Sequence, residues 1–158
     1  VIDSHLTPIF TAFDLYSRQV QDGAAISNLD SIIADAAQKM PPSHLFGTEP
    51  AHTWCYYFEK AELARQIGDY AQSYSLIQQA NQLGFYPKDA TEWYPYIDSA
   101  LHLGHLEEAV ELSNRIKVKD HMVLDGVCHT WENYITSLPV DDVDQSKAEA
   151  QYALMDCD

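Results

Sequence analysis

Residues 61–80, AELARQIGDYAQSYSLIQQA, and residues 96–116, YIDSALHLGHLEEAVELSNRI, decide the fold. Each stretch reads as a helix, a tight glycine turn and a second helix. Aligning Gly68 with Gly104 superposes Tyr70 on Leu106, Ser73 on Ala109 and Ala64 on Ala100. The same offset of 36 residues sets Tyr57 on Trp93, Ala61 on Ile97 and Ala80 on Ile116. Small residues therefore recur where two helices of one hairpin must approach closely. Glycines at 23, 68, 84 and 104 fall at helix ends, where a left-handed backbone is wanted.

Working outward, the spacing predicts helices over 52–67, 70–83, 89–103 and 107–116. Asp89 and Glu92 fit a loose capping box, and Pro95 falls early enough to move the true start of the third helix to Thr91 or to kink it. Towards the C-terminus, 123–137 is a helix with Val127, Trp131, Tyr134, Ile135 and Leu138 as its apolar face, weakened at its start by Gly126. A last amphipathic helix covers 143–155, with Asp141 and Asp142 as its caps. Towards the N-terminus, 7–20 and 27–38 form a helical hairpin within residues 1–40, and the proline-rich 41–50 is a linker. No segment alternates with period two. The expected fold is all-α: about eight helices in antiparallel hairpins stacked as a short superhelix. Residues 51–158 form the repeat region, with two repeats over about 53–118 and a degenerate third hairpin over 121–156. Trp54, Trp93 and Trp131 support that third hairpin, one in each first helix, as does the recurrence of His52-Thr53-Trp54 as His129-Thr130-Trp131.

Trp93, Ala100, Gly104, Leu106 and Ala109 of the second copy resemble the tetratricopeptide repeat pattern, as do Tyr57, Ala61, Ala64, Gly68, Tyr70 and Ala80 of the first. Ile97 stands where that family has a small residue, the terminal proline occurs once, as Pro87, and the unit is longer than the family norm. The resemblance implies an interaction module whose first helices line a concave groove. A narrower likeness rests on EPAHTWCYYFEKAELARQIGDY (49–70), EWYPYIDSALHLGHLEEA (92–109) and CHTWENY (128–134). These stretches resemble the soluble C-terminal repeat tail of bacterial multi-spanning, glycosyltransferase-like membrane proteins. That likeness implies a tail with no catalytic residue of its own, extracytoplasmic or tethered to a membrane through a segment preceding Val1.

In the 158-residue chain, 9 Lys+Arg face 24 Asp+Glu, a net charge of −15. Such a field repels phosphates, which excludes nucleic acid and an anionic membrane surface as partners. At 46% hydrophobic residues the chain is no disordered acidic tail, and no apolar run reaches the ~20 residues of a membrane span. The charge is uneven. From Asp120 to Asp158 there are nine acids and one base, Lys147, so the C-terminal part reads as an acidic cap. The chain starts at Val1 with no visible leader, as a fragment or a processed chain does. The three cysteines, Cys55, Cys128 and Cys157, form no disulfide framework: two read as core thiols and one as a thiol near the C-terminus, with a single bridge left open.

Catalytic patterns are missing: no glycine-rich phosphate loop, HExxH, CxxC or nucleophile elbow is present. His102 and His105 straddle Gly104, which breaks the helix a metal pair needs. Cys128 and His129 are adjacent, so their side chains diverge on a helix. Asp141-Asp142-x-Asp144 lacks the glycine and terminal glutamate of a calcium loop. The expectation is no enzyme, no cofactor and no metal.

Aromatic residues carry the functional signal. Eleven of the 18 lie within 54–96, and a helix cannot bury Tyr56, Tyr57 and Phe58 on one face. Carrying the repeat register onto the resembled groove gives Cys55, Phe58, Glu62 and Arg65 from the first copy, and Thr91, Tyr94, Asp98 and His102 from the second. The candidate contacts are Phe58, Glu62, Arg65, Tyr94, Asp98 and His102. With Arg65 as its only cation, this groove lacks the set that clamps a peptide carboxylate, and suits a basic, neutral or apolar peptide. The alternatives are self-assembly into an oligomer or filament and glycan binding on the aromatic rings.

Overall fold

The computed structural model describes residues 26, 39–117, 123–139, 143–155 and 157. The expected N-terminal hairpin and the expected caps Asp141 and Asp142 lie outside the described residues. Among the described residues the protein is all-α: seven α-helices and no strand. They are α1 (Ser43–Phe46), α2 (Trp54–Gln66), α3 (Tyr70–Gln82), α4 (Tyr94–His102), α5 (Leu106–Lys117), α6 (Leu124–Ser137) and α7 (Val143–Tyr152).

The two glycine turns share one construction. At the end of α2, Gly68 has φ 79°, its N–H donates to Arg65 O at 2.9 Å, and the Asp69 N–H donates to Ala64 O at 2.8 Å. At the end of α4, Gly104 has φ 77°, its N–H donates to Leu101 O at 3.0 Å, and the His105 N–H donates to Ala100 O at 2.9 Å. This Schellman-type closure satisfies carbonyls the helix leaves open, and its left-handed residue costs least as glycine. Asp69 then caps α3, accepting from the Gln72 N–H at 3.0 Å.

Consecutive helices pack on one another, α2 on α3, α3 on α4 and α4 on α5, while α6 packs on α4 and carries α7. Ala61, Ala80, Ala100 and Ala109 are fully buried, as the close approach of helices at small residues requires. Larger side chains fill the remaining space: Ile77, Ile97, Leu101, Ile116, Val127 and Trp131. Buried polar groups pair with one another. Ser99 Oγ donates to Ser73 Oγ at 2.9 Å, and Trp131 Nε1 donates to Ser113 Oγ at 3.0 Å. Trp54 Nε1 donates to Glu92 at 2.8 Å, which ties the start of α2 to the turn before α4.

Several expectations need correction. The third helix does not run from Asp89: a 3₁₀ turn over Thr91–Trp93 precedes α4, and Pro95 sits in the first α-turn, where its missing N–H costs nothing. The linker contains a helical turn, α1, which buries none of its residues. The cysteines do not divide into core thiols and a terminal one. Cys128 and Cys157 form a disulfide with Cα atoms 5.6 Å apart, and Cys55 is free and exposed. The partners are 29 residues apart in sequence, so only the packing of α7 on α6 reveals them. Gly126 is no weak helix start. It lies against the ring of Tyr94, which a Cβ at that position would overlap, and Tyr94 Oη donates to Val123 O at 2.9 Å.

Candidate functional site

The C-terminal halves of α2 and α4 carry a charged cluster. Arg65 lies between two acids: Nε and Nη2 donate to the Glu62 carboxylate at 2.9 and 2.7 Å, and Nη1 donates to Asp98 Oδ2 at 3.0 Å. Glu62 and Asp98 occupy equivalent positions of the two repeats, so the repeat offset itself delivers two carboxylates to one guanidinium. The Nδ1–H of His102 donates to Asp98 O at 2.9 Å and lies 3.2 Å from Asp98 Oδ1. Its ring stacks on Tyr70, centroids 3.8 Å apart, and meets the edge of Tyr134 at 5.4 Å.

Burial sets the electrostatics. Burial opposes the Arg65 charge, but the hydrogen bonds and charges of Glu62 and Asp98 outweigh it and hold the guanidinium protonated. Burial likewise opposes the Asp98 charge. The His102 hydrogen bond and Arg65 overcome it and hold the carboxyl below its usual range. For His102, burial favours the neutral ring, while the Asp98 contacts prevail and raise its pKa above the ordinary 6.5. The Tyr70 phenol is pushed up by burial and then by Asp98. Two acids against one arginine leave the cluster at one negative charge with His102 neutral, and at zero with His102 protonated.

This cluster borders a cleft of about 250 Å³ lined by Arg65, Tyr70, Asp98, His102, Thr130, Asn133 and Ser137. Of the sequence-derived contacts, Arg65, Asp98 and His102 line it, and Glu62 supports it through Arg65. Phe58 and Tyr94 do not reach it. Phe58 is half-buried beside Trp54, with centroids 6.1 Å apart, and Tyr94 is 4% exposed beneath α6. Thr130, Asn133 and Ser137 were missed by the repeat register. Their spacing of three and four places them along one side of α6, adjacent to the stripe of Val127, Trp131 and Tyr134, and that spacing is the signal in the sequence.

The other chemical candidates resolve differently. The His102 ring goes to Asp98 and Tyr70, whereas the His105 ring lies 5.1 Å from Tyr74. Cys128 is disulfide-bonded, so it forms no thiolate pair with His129. Among the described residues no group of three or more His, Cys, Asp or Glu is placed to hold a metal ion, and no helix is long and apolar enough to cross a membrane. Comparison with family models, curated proteins and solved structures finds no match to this chain.

Proposed function

We propose that the chain is a non-catalytic recognition module that takes a basic or neutral peptide segment into the cleft between α2, α4 and α6. One observation carries this reading: the cleft sets a carboxylate-rich charge cluster beside two exposed, uncharged hydrogen-bonding side chains, Asn133 and Ser137. The Asn133 amide both donates and accepts, as a peptide unit does, so it suits an extended backbone. With His102 neutral, the excess carboxylate favours a lysine or arginine on the incoming segment and disfavours an acidic one. The resemblance to tetratricopeptide repeats supports the same face, since first helices line the groove in that family.

Selection from a displayed random-peptide library tests the reading. The expected result is enrichment of Lys- or Arg-bearing peptides and depletion of acidic ones. Asn133→Ala and Ser137→Ala alter exposed or half-exposed side chains and leave the thermal transition in place. Binding of the selected peptides should weaken about five- to thirty-fold with both changed, the loss of one or two hydrogen bonds. Undiminished binding by the folded double variant rejects this cleft.

A further inference from the structure

A second cleft lies between α3, α5 and the 3₁₀ turn, and it shares no lining residue with the first. Its walls are aromatic: Trp93 and Tyr96 at the N-terminal end of α4, and Tyr86 from the connection after α3, which is 56% exposed. Its acceptors are two carboxylates and an amide oxygen. Glu108 accepts hydrogen bonds from the hydroxyls of Tyr74 and Tyr96 at 2.6 and 2.7 Å, Glu111 stands at the rim, and Asn81 adds a buried side-chain oxygen with no hydrogen-bond partner. One cation is present. The Arg115 guanidinium lies 5.5 Å from the Trp93 ring centroid and donates to Glu111 at 3.1 Å.

Aromatic faces, two carboxylates and an unused carbonyl oxygen together select a donor that is positive and flat or compact. Size narrows the choice. The cleft holds about 120 Å³ between its aromatic and carboxylate walls, room for the head group of one side chain. Arg115 shows the geometry of such an occupant. Its side chain is 48% exposed, and among the described residues it is held by the exposed Glu111 and by the indole. We infer that this cleft is a cation site for an arginine side chain of a partner, and that Arg115 is its resident competitor. An incoming guanidinium displaces Arg115 from Trp93 and Glu111.

The competitor makes the test specific. The full chain is titrated with N-acetyl-arginine amide, followed by the amide and indole N–H resonances in NMR. The expected result is a saturable shift centred on Asn81, Tyr86, Trp93 and Arg115, repeated with an arginine in a short peptide. Arg115→Ala should tighten binding about two- to five-fold, the range of an exposed cation–π contact. Tyr86→Ala and Glu111→Gln, both at exposed positions, should weaken it by a similar factor. Lys147→Ala removes the same charge on α7 and controls for net charge. The inference is overturned by any of three results: no saturable shift in either the wild type or Arg115→Ala; equal tightening in Lys147→Ala; or a like response to urea or glucose, which are uncharged. None of these readouts involves Asn133 or Ser137, so failure here is separable from failure of the first cleft.

Discussion

Helices α2 and α4 open equivalent hairpins and close in the same glycine turn, yet α4 buries every residue from Tyr94 to Leu101 while α2 buries only Trp54, Tyr57, Ala61 and Ala64. Their sequences do not explain the gap, since α2 carries as many large apolar side chains. Neighbours do. Helix α4 is packed by α2, α3, α5 and α6, so its side chains from Tyr94 to Leu101 are buried and His102 at its end stays partly exposed. A polar residue on α4 must then find its partner inside. Asp98, 7% exposed, does so with Arg65 and His102. One repeat unit thus yields two chemistries, depending on how many helices surround it.

The strongest way to break this comparison is to remove the acid on the enclosed helix. Asp98→Ala leaves Arg65 paired with Glu62 but strips Arg65 Nη1 and His102 of their buried acceptor, and an unsatisfied buried group costs about 1–3 kcal/mol, more where it is charged. Chemical denaturation should report a loss of that order. A loss below about 1 kcal/mol would mean that water reaches Arg65 and that α4 is less enclosed than its packing implies. Next in size is Gly126→Ala. The added methyl meets the Tyr94 ring at the α4–α6 contact, and overpacking of this kind costs about 1–3 kcal/mol. A fall in Tm with an unchanged far-ultraviolet spectrum is expected. A rise in Tm, as helix propensity alone predicts for glycine to alanine, would show that α6 does not press on Tyr94.

The smallest effect sharpens the comparison through pH. His102 has a raised pKa in the fold, so its contribution is complete below the ordinary value of 6.5 and is lost as pH rises through the folded value. Asp98 has a lowered pKa, so its contribution is present above 3.8 and is lost as pH falls through the folded value. Both contributions are present in mildly acidic solution. His102→Gln should flatten the stability profile on its alkaline side and leave the acid side to Asp98. An unchanged alkaline slope would separate the histidine from the cluster.

The hairpins were legible because glycine, the small residues and the aromatic spacing are local signals. Gly68, Gly104, Ala61 and Ala100 announce turn and contact within one unit. The burial of Tyr94 was not legible, since it depends on α6, a helix some thirty residues away. For the same reason Gly126 read as a defect in its own helix when it is an accommodation of another. The repeat register placed Glu62, Arg65, Asp98 and His102 on one face, and they do meet. It did not foresee that Arg65 would be satisfied by its own neighbours, because pairing depends on distances between helices. The cleft of Trp93 and Arg115 is not legible in the repeat register of the first helices, because second helices and connections supply most of its lining.

The sulfur bond between Cys128 and Cys157 changes what the last helix is. A helix at the end of a fold ordinarily peels from its outer end, turn by turn, and exposes the apolar stripe beneath. Here peeling from that side stops at Cys157, whatever follows, because that residue is stapled to a buried position on α6. The segment between is an arc closed at both ends. Proteolytic nicking anywhere along it yields two chains that still travel as one until a reductant is added.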